Sequence, residues 1–244
     1  MGRRELSFLM PGTMRSHMRV PGLVRVIATL AALLAVSGCA GQSTLATAAT
    51  GHCPAMSFSN NSDRLHALLL DARSPHVMVA AHRACWRGQP ENSLAAIEAC
   101  IDAGVDIVEL DVQRTRDGHL VLQHDRTLDR MTDGAGRVED NDLAAIRSLH
   151  LRQGAGGPRA ELTDQRIPTL AEALAITRGR ILVNIDVKDS SLDDAMAVVR
   201  RMGLEKNVLA KAVIKPQDIA GLRARIGTVP FMPILWEKDS DQPL

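Results

Sequence analysis

The chain has 244 residues, is 45% hydrophobic and 23% charged, and carries a formal net charge of +1. These values exclude wholesale disorder, and the near-neutral balance argues against a dedicated nucleic-acid binder, which shows a basic face. Only 2% of residues are aromatic and none is Tyr, so base-stacking platforms and aromatic cages are not the binding devices here.

The first 38 residues read as an export signal. Arg15, Arg19 and Arg25 precede an apolar run from Val26 to Val36, which is shorter than the roughly 20 residues a membrane span needs. The run ends in Val36-Ser37-Gly38-Cys39, which resembles a bacterial lipobox with Cys39 as the lipidated residue. An ordinary signal peptide with an incidental Cys is the alternative. The lipobox reading places the protein in the cell envelope, lipid-anchored in the outer membrane and facing the periplasm. Without residues 1–38 the chain holds 24 basic against 27 acidic residues, so a positive site has to be local. Cys53, Cys85 and Cys100 then remain, and an oxidising compartment permits a disulfide among them without saying which. Residues 39–75 read as a flexible tether, rich in Ala, Thr, Ser and Gly, followed by one short helix around Leu65, Leu68 and Leu69.

From residue 76 apolar runs alternate with helical patterns. Strands are expected at Val77–Ala81, Val105–Val112, Leu120–Gln123, Ile181–Val187, Val208–Ile214 and Phe231–Leu235. Helices are expected at Asn92–Ala103, near Asp142–Leu149, and at Thr169–Arg178, Asp193–Met202 and Gln217–Ile226. Residues 126–166 form a long polar, Gly-rich excursion of the kind that is often functional. Alternation of this sort implies parallel strands in an α/β fold.

Four successive strands end in ionisable groups: His82-Arg83, Glu109 with Asp111, His124-Asp125, and Asp186 with Lys188. Parallel barrels place their chemistry at such strand ends. Glu109 and Asp111 are two apart and share one face of a strand, flanked by Ile107, Val108, Leu110 and Val112. Paired buried carboxylates suit a hard divalent cation, Mg²⁺ or Ca²⁺. Asp186 sits in an apolar run, where it needs either that cation or an ion pair with Lys188. His82 and His124 suit general acid and base work. Arg83 offers a fork matched to phosphate, or a salt bridge to Glu91.

These residues carry a family resemblance. His82-Arg83, Pro90-Glu91-Asn92-Ser93, Glu109-Leu110-Asp111-Val112, Thr115-Arg116-Asp117-Gly118, His124-Asp125, Ile167-Pro168-Thr169-Leu170 and Asn184-Ile185-Asp186-Val187-Lys188, in this order, resemble the glycerophosphodiester phosphodiesterase family over about residues 77–235. The resemblance implies a TIM (β/α)8-type barrel with an insertion after the third strand. It implies metal-dependent hydrolysis of a small glycerophosphodiester to glycerol 3-phosphate and an alcohol. His82 and His124 would be the acid/base pair, and Glu109, Asp111 and Asp186 the metal ligands. Arg83 and Lys188 would face the phosphate, with Glu91 a ligand or a residue behind the ligands. Three departures stand out. Ala84 follows His-Arg where the family has Gly, and its methyl is expected to narrow the phosphate approach. Asp186 stands where the family has Glu. About six strands are read where the barrel has eight, so residues 76–244 are expected to form an incomplete barrel. A sphingomyelinase D-like phospholipase and a non-catalytic barrel that binds a phosphorylated ligand are the alternatives, and no protein partner can be named.

Overall fold

The second strand organises the fold. In the computed structural model, which describes residues 58–189, 191–215 and 218–234, it runs Ile107–Arg114 (β2). Both of its faces are covered, which explains why it reads as a nearly continuous apolar run rather than an alternating one. The first strand is only Ala80–Ala81 (β1) and pairs parallel with the start of β2. Leu182–Val187 (β4), Val208–Val213 (β5) and Phe231–Ile234 (β6) continue the sheet in parallel, in the order β1-β2-β4-β5-β6.

One expectation is corrected. The third strand, Leu120–Leu122 (β3), is antiparallel to β2 and lies off the parallel path. It folds back through the Arg116-Asp117-Gly118 turn, where the Gly118 amide donates to the Thr115 carbonyl and φ is +84°. β4 occupies one edge of β2, so β1 and β3 share the other edge end to end. The described residues therefore hold five parallel strands and one hairpin strand. With helices on the outer face, this is an incomplete α/β barrel.

The period of two divides β2, β4 and β5 between two environments. Val108, Leu110, Val112, Val183, Ile185, Val187, Val208, Ala210 and Ala212 point outward into the main core. There they meet Leu94–Asp102 (α2), Leu170–Thr177 (α4), Leu192–Met202 (α5) and Ile219–Ile226 (α6). The starts and stops of these helices follow their caps. Ser93 accepts from the Ala96 amide at the start of α2, Thr169 and Glu172 form a capping box on α4, and Gly203 ends α5 at φ +65°.

On the inner face Ile107, Leu182 and Leu209 form an apolar floor. The expected short helix, Asn61–Leu70 (α1), plugs it with Leu65, and the described residues belong to one compact unit. The long excursion builds a second small core from Val121, Leu128, Met131, Val138, Ile146, Leu151 and Ile167 around the short helix Leu143–Ser148 (α3). Cys85 and Cys100 form a disulfide that ties the loop after β1 to α2. A closed loop of this size stabilises by about 3 kcal/mol. The export signal, Cys39, Cys53 and most of the tether lie outside the described residues. Among the described residues no helix is long and apolar enough to cross a membrane.

Leu65 is fully buried under the floor. Leu65→Ala is expected to lower stability by about 2–5 kcal/mol in a denaturant melt. A loss within 0.5 kcal/mol, about the value for a surface site, would show that α1 does not plug the barrel.

Candidate functional site

Above the apolar floor the inner face turns polar. Glu109 and Asp111 from β2 and Asp186 from β4 each offer an oxygen within 4.8 Å of the others, and all three are buried. Asp111 and Asp186 are direct partners across the ladder, and Lys211 of β5 is the next residue in the same row. Like charges placed opposite one another repel, so the row needs positive charge. Lys211 Nζ lies 2.8 Å from Asp186 and 3.3 Å from Glu109. Lys188 Nζ donates to Asp186 at 2.6 Å. It also lies 2.9 Å from Asp111 Oδ1, at an angle that makes a charge contact rather than a hydrogen bond.

Burial pushes the Asp186 carboxyl up, but Lys188 and Lys211 together outweigh it and hold its pKa below the ordinary value. Burial also lowers both lysines, and the carboxylates around them leave each above its ordinary value. Of the two readings for Asp186, the ion pair with Lys188 is present, and its place among three carboxylates is one that a cation could also use.

The loop after β1 is shaped by Glu109. Its carboxylate accepts from the Arg83 amide at 3.0 Å, and its carbonyl accepts from the Ala84 amide at 3.2 Å. Arg83 and Ala84 have φ of +56° and +61°, a left-handed conformation that costs about 1–2 kcal/mol per non-glycine residue. This explains the glycine of the family motif. The expected effect of Ala84 is corrected, however. Its methyl is buried in the main core and does not narrow the phosphate approach.

Three consecutive residues in the same loop do three jobs. Glu91 is buried and bridges Arg83 Nη1 at 3.2 Å to Arg130 Nη2 at 2.6 Å. Asn92, at φ +56°, donates to Asp111 Oδ2 at 2.7 Å and accepts from the Asp111 amide at 3.1 Å. Ser93 caps α2. Glu91 is therefore not in the carboxylate group; it stands behind Arg83.

His82 is exposed in the turn just after β1. His124 follows the antiparallel β3 rather than a parallel strand, and reaches the site because Gln113 of β2 donates to the backbone carbonyls of Gln123 and Asp125 at 2.8 and 2.6 Å. Its Nδ1 contacts Asp125 Oδ1 at 2.7 Å, which leaves Nε2 free. Asp125 in turn contacts Arg130 at 2.6 Å. The Arg130 hydrogen bond is the main cause that holds the Asp125 carboxyl at about 2 against an ordinary 3.8, with His124 adding to it and burial opposing it.

Among the buried side-chain atoms of the described residues that lack a hydrogen-bond partner, two belong to this group: Arg83 Nε, a donor 3.6 Å from Asp111, and Asp111 Oδ1, an acceptor whose near neighbour is the Lys188 ammonium. A buried donor needs an acceptor and a buried carboxylate oxygen needs a donor or a cation. A group with anionic oxygens beside Arg83 and a hard cation among the carboxylates would satisfy both. The all-oxygen donor set fits Mg²⁺ or Ca²⁺. Lys211 and Arg130 are site residues that the sequence analysis did not single out, while Asn92 and Asp125 stood there within motifs and without a role of their own.

Comparisons with known proteins point to one family. The model of the glycerophosphoryl diester phosphodiesterase family matches residues 82–227. The chain is 42% identical over 112 residues to a glycerophosphodiester phosphodiesterase of Caldanaerobacter subterraneus subsp. tengcongensis, covering 46% of this chain and 45% of that protein. It is 40% identical over 130 residues to glycerophosphodiester phosphodiesterase 1 of Mus musculus, covering 53% of this chain and 39% of that protein. The chain thus spans less than half the length of these curated relatives. Among solved structures, the glycerophosphodiester phosphodiesterase from Agrobacterium tumefaciens superposes with a TM-score of 0.56 at 30% identity, over 64% of this chain and 66% of that one. A glycerophosphoryl diester phosphodiesterase from Parabacteroides distasonis gives 0.63 at 26% identity, over 73% and 62%.

Because its pKa is depressed on folding, Asp125 contributes stability that is full above about pH 3.8 and is lost as pH falls toward 2. A carboxyl-carbon NMR titration is expected to place its midpoint near 2. A midpoint at the ordinary 3.8 would mean that Arg130 does not hold it.

Proposed function

The chain belongs to the glycerophosphoryl diester phosphodiesterase family, and from that premise we propose that it hydrolyses glycerophosphodiesters to glycerol 3-phosphate and an alcohol. The observation that carries the reading is the group of three buried carboxylates, with oxygens within 4.8 Å of one another, beside the Arg83 guanidinium. The carboxylates suit a divalent metal and the guanidinium suits a phosphodiester oxygen.

Glu109, Asp111 and Asp186 would hold the cation, Mg²⁺ or Ca²⁺, which supplies charge stabilisation at the non-bridging phosphate oxygens. Arg83 binds those oxygens with its guanidinium braced by Glu91. Lys188, three-quarters buried beside Asp111 and Asp186, provides a second cation for the phosphate. The neighbouring glycerol hydroxyl attacks phosphorus and one of His82 and His124 takes its proton. The other histidine protonates the oxygen of the departing alcohol as its bond to phosphorus breaks. Water then opens the resulting cyclic phosphate with the proton roles reversed, giving glycerol 3-phosphate.

The same reading places the chain in the cell envelope, exported by residues 1–38 and anchored through Cys39 on the periplasmic side of the outer membrane. Its support is the sequence of that segment and the Cys85–Cys100 disulfide, which suits an oxidising compartment.

The test is release of glycerol 3-phosphate from glycerophosphocholine by the full chain. His82→Ala and His124→Ala are each expected to reduce kcat by about 10²- to 10⁴-fold. A chelator is expected to abolish activity, and added Mg²⁺ or Ca²⁺ to restore it. Hydrolysis that survives chelation would overturn the metal assignment. Activity confined to intact lipid would favour a sphingomyelinase D-like phospholipase, and ligand binding without turnover a non-catalytic barrel.

A further inference from the structure

We infer that Arg130, contributed by the insertion, is a positioning residue that locks His124 and the Arg83 loop to one another. The inference rests on the proposed hydrolysis for its kinetic consequence, but its structural consequence can be read without turnover.

A continuous chain of contacts runs across the mouth of the site. Arg83 Nη1 meets Glu91 at 3.2 Å, and Glu91 Oε1 meets Arg130 Nη2 at 2.6 Å. Arg130 grips Asp125 with two nitrogens, Nε to Oδ2 at 2.6 Å and Nη2 to Oδ1 at 3.0 Å. Asp125 Oδ1 meets His124 Nδ1 at 2.7 Å. Arg130 is the only member of this chain of contacts that comes from the insertion, and its side chain joins Glu91 of one loop to Asp125 of the other.

Its own position is fixed. The Arg130 carbonyl accepts from the Gly157 amide at 2.7 Å, and its Nη1 donates to the Ala155 carbonyl. A side chain at Gly156, where φ is +71°, would put its Cβ 2.4 Å from the Arg130 carbonyl oxygen. The same turn reaches the other loop, since the Glu91 amide donates to the Gly154 carbonyl at 2.9 Å. The Gly-rich turn is therefore a cradle for Arg130 and a strap on Glu91.

The chemistry calls for arginine. Two carboxylates and a carbonyl are met by one planar group, which a guanidinium does and an ammonium does not. The consequence falls on His124. With Asp125 held by two bonds, its Oδ1 is fixed as an acceptor, so neutral His124 keeps its proton on Nδ1 and presents Nε2 bare to the substrate. A residue that only anchored the insertion would affect the melting temperature and leave the imidazole tautomer alone.

The experiment uses the full chain and two variants, Arg130→Lys and Arg130→Ala, measured with Mg²⁺ or Ca²⁺ on glycerophosphocholine and by imidazole nitrogen NMR at a pH where His124 is neutral. In the wild type the His124 resonances should show one tautomer, protonated on Nδ1; in both variants they should move toward a mixture. Arg130→Ala is expected to lose about 10²-fold in kcat with KM nearly unchanged, the scale of a misplaced reacting group. Added guanidinium ion should recover part of that loss, and Arg130→Lys should not behave as wild type despite its charge. An unchanged tautomer in both variants, or a kcat within about twofold of wild type, would overturn the inference. If Arg130→Ala does not fold, Arg130→Lys carries the test alone. If the wild type itself does not turn over, the hydrolytic reading fails, while the NMR comparison still decides the role of Arg130.

Discussion

Three carboxylates buried on the inner face of one sheet cannot stand without positive charge, and most of the upper half of the molecule supplies it. Bringing Glu109, Asp111 and Asp186 out of water is costly unless each is paired. The cations come from three different places: Arg83 from the loop after β1, Lys188 from the end of β4, and Lys211 from the middle of β5. Each has to arrive in register, because Asp111, Asp186 and Lys211 form one row across three strands. The left-handed backbone at Arg83, Ala84 and Asn92 belongs to the same constraint. It turns the loop so that two amides reach Glu109 and the Asn92 amide group clamps Asp111.

The strands separate stability from chemistry by face and by height. Their outward residues pack against helices in an ordinary apolar core. Their inward residues are apolar at the floor, where Ile107, Leu182 and Leu209 meet α1, and charged above it. Since the period of two fixes which residues point inward, a single strand such as β2 can carry Ile107 for packing and Glu109 and Asp111 for function. The insertion packs a small core together with Val121 of β3 and Ile167, which supports Arg130 separately from the main core.

Much of this was legible in the chain because buried charge leaves a visible mark. Carboxylates inside apolar runs, as at Glu109, Asp111 and Asp186, have few structural explanations, and the spacing of two puts a pair on one face. The parallel order of the long strands followed from the helical patterns between them. Strand direction at β3 was less accessible. An apolar run of three residues carries no direction, and only the turn at Arg116-Asp117-Gly118 hinted at a hairpin. Lys211 offered the same signal as Asp186, an isolated charge in an apolar run, and could have been found by it. Arg130 gave no such mark, and Asp125 and Asn92 stood inside motifs that did not disclose their roles. They sit in polar loops where Arg, Asp and Asn are ordinary, and their roles depend on contacts across 5 to 39 residues of sequence. Ala84 misled because a residue's neighbours in sequence do not reveal whether its side chain faces the cleft or the core.

The most direct test of the central claim is anomalous diffraction from crystals of the chain soaked in Mn²⁺, a hard divalent cation that takes the same oxygen ligands. The account predicts one strong peak bound by oxygens of Glu109, Asp111 and Asp186, with the lysine ammonium groups drawn back from Asp186 beyond their present 2.6 and 2.8 Å. A peak elsewhere, or no peak with both ion pairs intact, would contradict it and leave the cluster as an internally neutralised set of salt bridges.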